Sequence, residues 1–201
     1  MNVYDFDETI FTGDSEDRFF EFMFQKKGYR RYKLNFKIFD CLYKAHIITK
    51  TKAREHQYSF LKKIDSEGKL DEYLKAYWDH VMQYMKPWYN DVKKADDIIA
   101  SGTPRFLLVP AMERLGLTNL VATEMDCRTG KIDGYFAVGQ YKIVNFKNQF
   151  GVDCIDNFYS DAYSDHYVAD YAKHAYVLHD DDQITEWNEF FEAHPDKKKE
   201  R

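Results

Sequence analysis

The sequence predicts an α/β fold in which a helical bundle interrupts a parallel sheet just after its first strand. Three observations predict it. Val3-Tyr4 before Asp5 reads as the end of a short buried strand. From Ser15 to Met85 the apolar residues recur at helical spacing with no strand between them. Beyond Pro87, short apolar runs alternate with helical segments, the pattern of a parallel sheet covered on both faces.

In the bundle, Asp14 or Ser15 can N-cap a helix whose inner face is Phe19, Phe20, Met23 and Phe24. Leu34, Ile38, Phe39 and Leu42 predict a second helix, and Ala53, Phe60, Leu61 and Ile64 a third. Leu70, Tyr73, Leu74, Tyr77, Trp78, Val81, Met82 and Met85 form the longest apolar stripe and predict the fourth. Next comes a strand at Ile98-Ile99-Ala100. Thr103 as N-cap and Pro104 at the first helical position then predict a helix that contains Pro110, which should kink it, and that Gly116 ends. A strand at 121–125, a hairpin turn at 128–131 leading into 133–136, and a helix at 142–150 follow. The chain closes with a strand at 155–159, a helix at 164–173, a strand at 175–178 and a helix carrying Ile184, Trp187, Phe190 and Phe191. Only the terminal Lys197-Lys198-Lys199-Glu200-Arg201 resembles a disordered tail. The predicted division is a sheet domain of residues 1–13 and 90–201 and a helical domain of residues 14–89.

Composition narrows the function classes. In 201 residues, 44% are hydrophobic and 31% charged, which supports a folded core. Mean hydropathy is −0.66, and no apolar run approaches the roughly 18 residues that span a bilayer. The opening Met1-Asn2-Val3-Tyr4-Asp5 lacks the basic and apolar regions of a secretory signal. Cys41, Cys127 and Cys154 lie far apart, which argues against a disulfide scaffold or zinc finger and for the cytoplasm; Cys127 and Cys154 read as buried fillers.

The net charge of −5 conceals an asymmetry. Residues 25–63 carry twelve Lys/Arg against Asp40 and Glu55, a local +10, while the remainder carries −15. Tyr29, Tyr32, Phe36, Phe39, Tyr43, Tyr58 and Phe60 stand among these cations. Such a segment suits an anionic membrane, an anionic substrate or a nucleic acid; a solvated helix face with core aromatics is the plain alternative.

Sites in open α/β sheets lie at the carboxyl ends of strands. Three predicted strands end in polar residues: Asp5-Phe6-Asp7-Glu8-Thr9, Ser101-Gly102-Thr103, and Ser160-Asp161 with Asp165 four residues on. Carboxylates gathered in one crevice repel one another, which calls for a cation or raised pKa values, and oxygen ligands of this kind suit Mg²⁺.

These residues resemble a known family. Asp5-Phe6-Asp7-Glu8-Thr9 is similar to the Asp-x-Asp-x-Thr signature of the haloacid dehalogenase superfamily, and Ala100-Ser101-Gly102-Thr103-Pro104 to its second motif. Gly139-Gln140-Tyr141-Lys142 resembles the third motif, and Tyr159-Ser160-Asp161-Ala162-Tyr163-Ser164-Asp165 the fourth. The resemblance covers about Met1 to His179, and the helical insert is similar to the cap of the phosphoserine-phosphatase-like branch. It implies a Rossmann-like core with a helical cap and an Mg²⁺-dependent phosphatase acting on a small phosphorylated substrate. Asp5 would be the nucleophile and Asp7 the general acid and base. Ser101 and Lys142 would be catalytic and, with Thr9 and Gly102, would bind the phosphoryl group. Asp5, Asp7 through its carbonyl, and Asp161 would hold the metal; Asp165 would orient Lys142 or a metal-bound water. The second acid, Asp7, favours phosphoryl transfer over dehalogenation. Glu8 departs from the Gly or Ser usual in the motif, and His166-Tyr167-Val168 from the apolar type that usually follows the fourth.

Each role has a plainer competitor. Asp165 could cap the helix predicted after Ser164, Lys131 and Lys147 compete with Lys142, and Asp14, Glu16 and Arg18 stand at the cap entrance as either substrate contacts or capping residues. His166 reads as a supporting or surface residue. Two further functions fit the basic segment: a membrane-surface phosphatase acting on a lipid phosphate such as phosphatidylglycerophosphate, or a nucleic-acid-binding module. The complete motif set argues against the latter, so no nucleic acid is expected.

Overall fold

The computed structural model describes residues 1–150, 155–179 and 182–199. Among the described residues, six strands form one sheet in the order β3-β2-β1-β4-β5-β6: β1 (Asn2–Tyr4), β2 (Ile98–Pro104), β3 (Asn119–Thr123), β4 (Ile155–Ser160), β5 (Ala172–Leu178) and β6 (Ile184–Glu186). The first five pair in parallel, and β6 runs antiparallel to β5 at the edge. The chain builds outward from β1 in one direction to β3, then returns to place β4 on the other side of β1. The crevice at that reversal is where open α/β sheets bind ligands.

Between β1 and β2 lie α1 (Ser15–Gln25), α2 (Tyr32–Lys44), α3 (Lys50–Gln57), α4 (Leu61–Glu67), α5 (Leu70–Val81) and α6 (Pro87–Val92). Asp14 is the N-cap of α1, its carboxylate accepting from the Asp17 amide at 2.7 Å. The predicted inner face of α1 is buried throughout. The third predicted helix is broken by a 3₁₀ turn at Tyr58–Phe60 into α3 and α4, whose buried residues, Ala53 among them, still face inward. In α2 the expected core face is wrong in part: Tyr32 and Phe36 pack inward, whereas Leu34 and Ile38 face solvent at 66% and 46% exposure.

The later helices are α7 (Arg105–Leu115), α8 (Gln140–Phe150), α9 (His166–Ala169) and α10 (Trp187–Ala193). The expected Thr103 cap and Pro104 helix start are not observed. Pro104 still pairs with β3, and α7 begins at Arg105. Pro110 lies within α7, and Gly116 ends it in a left-handed conformation at φ +71°. The helix expected over 164–173 shrinks to α9 because Ala172 onward pairs with β4. Ile184 belongs to β6 rather than the last helix. The hairpin at 128–131 is a turn closed by a single Met125–Ile132 bridge. The proposed tail enters a 3₁₀ turn at Lys197–Lys199; Glu200, Arg201 and Cys154 lie outside the described residues.

One apolar cluster covers the face of the sheet under α8, α9 and α10, with Phe146, Phe158, Trp187 and Phe191 at its centre. The other runs unbroken from α7 through the β1–α1 loop into the helical insert. Trp78 of α5 joins the two regions: it meets the Phe6 ring at 6.0 Å and the Phe11 ring at 5.9 Å, and its indole N–H donates to the Leu107 carbonyl at 2.6 Å. The helices are therefore seated on the loop that carries Asp5 and Asp7. Trp78→Ala is expected to lower stability by about 3–5 kcal/mol, read as a reduced urea midpoint, because it empties a fully buried site and removes the indole's hydrogen bond.

Candidate active site

Asp5 directly follows β1, and its amide donates to the Tyr159 carbonyl at 2.9 Å, so sheet pairing extends to this residue. Lys142, on the first turn of α8, reaches back to it. Its ammonium donates to Asp5 Oδ1 at 2.9 Å and to Asp165 Oδ2 at 2.7 Å, and all three side chains are nearly inaccessible. Burial works against the Lys142 charge, but the flanking Asp165 and Asp5 outweigh it and hold its proton above the usual lysine range. Burial drives the Asp5 carboxyl well above the ordinary range; Lys142 opposes this, and Asp165 and Asp161 add to it. Asp165 also accepts from the Ser160 hydroxyl at 2.8 Å. It is the N-cap residue of α9 but makes no side-chain cap there. Of the competing lysines, Lys131 pairs with Glu55 at 2.9 Å and Lys147 lies 3.8 Å from the centre of the Tyr171 ring.

Asp7 is held differently. The Ser15 amide at the start of α1 donates to Oδ1 at 2.6 Å, and the Thr103 hydroxyl donates to Oδ2 at 2.8 Å. Burial, with the negative charge of Asp14 nearby, pushes its carboxyl up to about 7, against the pull of these donors. Thr103 is thus a site residue that sequence reasoning assigned to capping. Its signal was a second hydroxyl two residues beyond Ser101.

That spacing works because β2 bulges here. Ala100 pairs with Val121 and Pro104 with Thr123, so Ser101, Gly102 and Thr103 stand opposite Ala122 alone. Ser101 Oγ accepts from the Thr103 amide at 3.0 Å. A Cβ on Gly102 would come within 2.7 Å of Val138 Cγ1, which explains the glycine.

Thr9, expected to bind the phosphoryl group, is bonded to Asp161. Its hydroxyl donates to Asp161 Oδ1 at 3.0 Å and accepts from the Asp161 amide at 3.1 Å, so its single donor is committed to Asp161. Burial raises the Asp161 carboxyl to about 6, with Asp165 adding to the shift and Thr9 opposing it. Glu8 is exposed in a left-handed conformation at φ 57° and accepts from the Gly13 amide, turned toward its own loop.

The helical insert supplies the far wall of the site. A cavity of about 160 Å³ is lined by Asp5, Asp7, Ser101 and Lys142 from the sheet side and by Lys50 and Arg54 from α3. Arg54 is paired with the buried Glu16 at 2.7 Å. Sequence reasoning flagged Glu16 but missed Lys50 and Arg54, since two cations among twelve carry no local signal. Arg18 turns away, its guanidinium 3.9 Å from the centre of the Tyr84 ring, and His166 stacks on Tyr163 and meets Tyr167 at a tilt. Cys127 is half-buried at the surface and Cys41 exposed.

A sequence profile of the haloacid dehalogenase-like hydrolases matches residues 3–170, and the chain belongs to that family. No curated protein matches the chain by the same standard. Among solved structures, the fold is similar to a protein of unknown function from Bordetella pertussis Tohama I, at 18% identity and a TM-score of 0.72 over 87% of each chain. It is also similar to a phosphoserine phosphohydrolase-like protein from Francisella tularensis subsp. tularensis SCHU S4, at 16% identity and a TM-score of 0.53, covering 89% of this chain and 86% of that one. These likenesses establish the architecture.

Burial pushes Glu16 up to about 7 from its usual 4.5, with Arg54 opposing the shift and Asp14 adding to it. A carboxyl whose folded pKa is raised favours the folded state fully below the unfolded value. That advantage is lost as pH rises through the folded one. Stability should therefore fall between about pH 4.5 and 7.5, and Glu16→Gln should flatten the slope by about 3 kcal/mol. Urea unfolding of both proteins across that range in metal-free buffer measures the difference.

Proposed function

We propose that the protein is an Mg²⁺-dependent phosphatase of the cytoplasm that hydrolyses a phosphomonoester through an aspartyl-phosphate on Asp5. The observation that carries this reading is the contrast between two carboxylates on one small cavity. Asp5 is pushed up by burial but bonded to a buried ammonium, which opposes that push and favours its ionised, attacking form. Asp7 is held only by neutral donors and is pushed up to about 7, which suits a group that gives and takes a proton.

In the first half-reaction an Asp5 oxygen attacks phosphorus while the ester P–O bond breaks. The Asp7 carboxyl gives its proton to the leaving oxygen. In the second, Asp7 takes a proton from water as that water attacks the same phosphorus, which restores the Asp5 carboxylate and releases phosphate. Lys142 and Ser101 balance charge on the phosphoryl oxygens, and Thr103 with the Ser15 amide aims Asp7.

The donor set fits Mg²⁺. Asp5, Asp7, Asp161 and Asp165 bring four carboxylates to one crevice, and Lys142 alone is bonded to two of them. Among the described residues, no group of three or more Asp, Glu, His or Cys side chains is placed to hold a metal ion, so the proposed site uses two carboxylates and a backbone carbonyl, with water completing the shell. Asp5, the Asp7 carbonyl and Asp161 would hold it, and it would supply further charge neutralisation at the phosphoryl group.

The test is phosphate release from a panel of phosphomonoesters with Mg²⁺ or EDTA, beside Asp5→Asn. Release should require Mg²⁺ and vanish in the variant; Mg²⁺-dependent release that survives in clean Asp5→Asn would overturn the reading. Thr103→Val keeps the shape of the side chain but frees one Asp7 oxygen. It should lower kcat by about tenfold or more with KM nearly unchanged, a loss within the range of disturbed general acid catalysis.

A further inference from the structure

The outward face of α2 is an unexpected feature of the surface. Its inward face is aromatic: Phe36 lies 4.7 Å from the Phe20 ring, and Phe39 stacks on His56 of α3 at 4.0 Å. The opposite face presents Leu34 at 66% exposure, Ile38 at 46% and exposed Cys41 in one line, with Ile47 just beyond the helix at 68%. Lys33 and Lys37 run exposed along one flank, and Lys27 and Arg30 are exposed just before the helix. No residue of α2 is buried, so the chain's own core does not account for the apolar stripe.

We propose that this face docks on an anionic lipid bilayer. A shallow apolar stripe edged by lysines matches the boundary between acyl chains and charged headgroups. The charge distribution sets the orientation, since the segment at +10 is attracted and the remainder at −15 repelled. A second copy of the chain fits poorly, because it would set two +10 segments face to face. Nucleic acid fits poorly too, because the aromatics of α2 that could stack on bases are turned inward. Docking also bears on the substrate. A cavity of about 270 Å³ between α1, α2 and α3 is lined by Phe36 and Tyr43 at one side and by Lys50 and Arg54 at the other, and those two cations also line the catalytic cavity. Resting on the phosphatase reading, the substrate class is then a phosphate monoester borne on a lipid.

The experiment is co-sedimentation of the full chain with phosphatidylcholine vesicles, with and without phosphatidylglycerol. Binding is expected only to the anionic vesicles and should weaken severalfold at about 0.5 M salt, where the Debye length has shrunk to a few ångströms. Leu34→Asp with Ile38→Asp, and separately Lys33→Glu with Lys37→Glu, should each reduce binding at least tenfold. Phosphate release from a soluble ester should be unchanged in both, which also controls for folding. Release from a lipid phosphomonoester in the vesicles should fall with binding. Equal binding to neutral vesicles, no binding at low salt, or unaffected variants would overturn the proposal. So would a concentration-dependent dimer that the Asp variants abolish in a protein indifferent to vesicles. Vesicle binding without phosphate release from any ester would instead sink the phosphatase reading and leave the docking surface standing.

Discussion

Lys142 is the charge around which the centre is organised. Its ammonium is the bond between α8, the end of β1 and the start of α9, and it is made in a space almost closed to water. Two buried carboxylates would not be stable there without a partner, and removing one member of such a group costs several kcal/mol through the charge left behind. The triad is an expensive way to hold three elements together. Hydrophobic packing could do that as well; only the charges put an ionisable oxygen of Asp5 at the cavity.

Asp7 shows the complementary arrangement two residues away. Neutral donors reach both of its oxygens, one from the opening turn of α1 and one from the bulge in β2. Its position therefore depends on α1 nearby in sequence, on β2 far along the chain, and on Trp78, which packs α5 against the connecting loop. The helical insert shares a core with the sheet at the place where the two carboxylates are set.

The cations of the insert divide by environment. Arg54 and Lys50 line the cavity of Asp5 and Asp7, and Arg54 is paired with buried Glu16, while Lys33 and Lys37 of α2 remain in solvent. The same basic composition thus serves an inner wall and an outer surface.

The sequence by itself determined the α/β class, the place of the helical insert, and the acids and lysine that meet in the crevice. The class, the insert and the acids followed from hydrophobic period, turn chemistry and the order of polar strand ends, which are local or nearly local signals; Lys142 followed only from the resemblance of Gly139-Gln140-Tyr141-Lys142 to the family's third motif. Tertiary structure decided the rest. Pairing with β3 kept Pro104 in the strand, and pairing with β4 drew Ala172 into β5 and shortened α9. The hydroxyl of Thr9 went to Asp161 and that of Thr103 to Asp7, choices that depend on which atoms come within about 3 Å after folding. Periodicity gave α2 an apolar stripe through Leu34 and Ile38, but a helix with apolar residues on two faces can turn only one of them inward. The aromatic face of α1 took Phe36, and Leu34 and Ile38 were left outside.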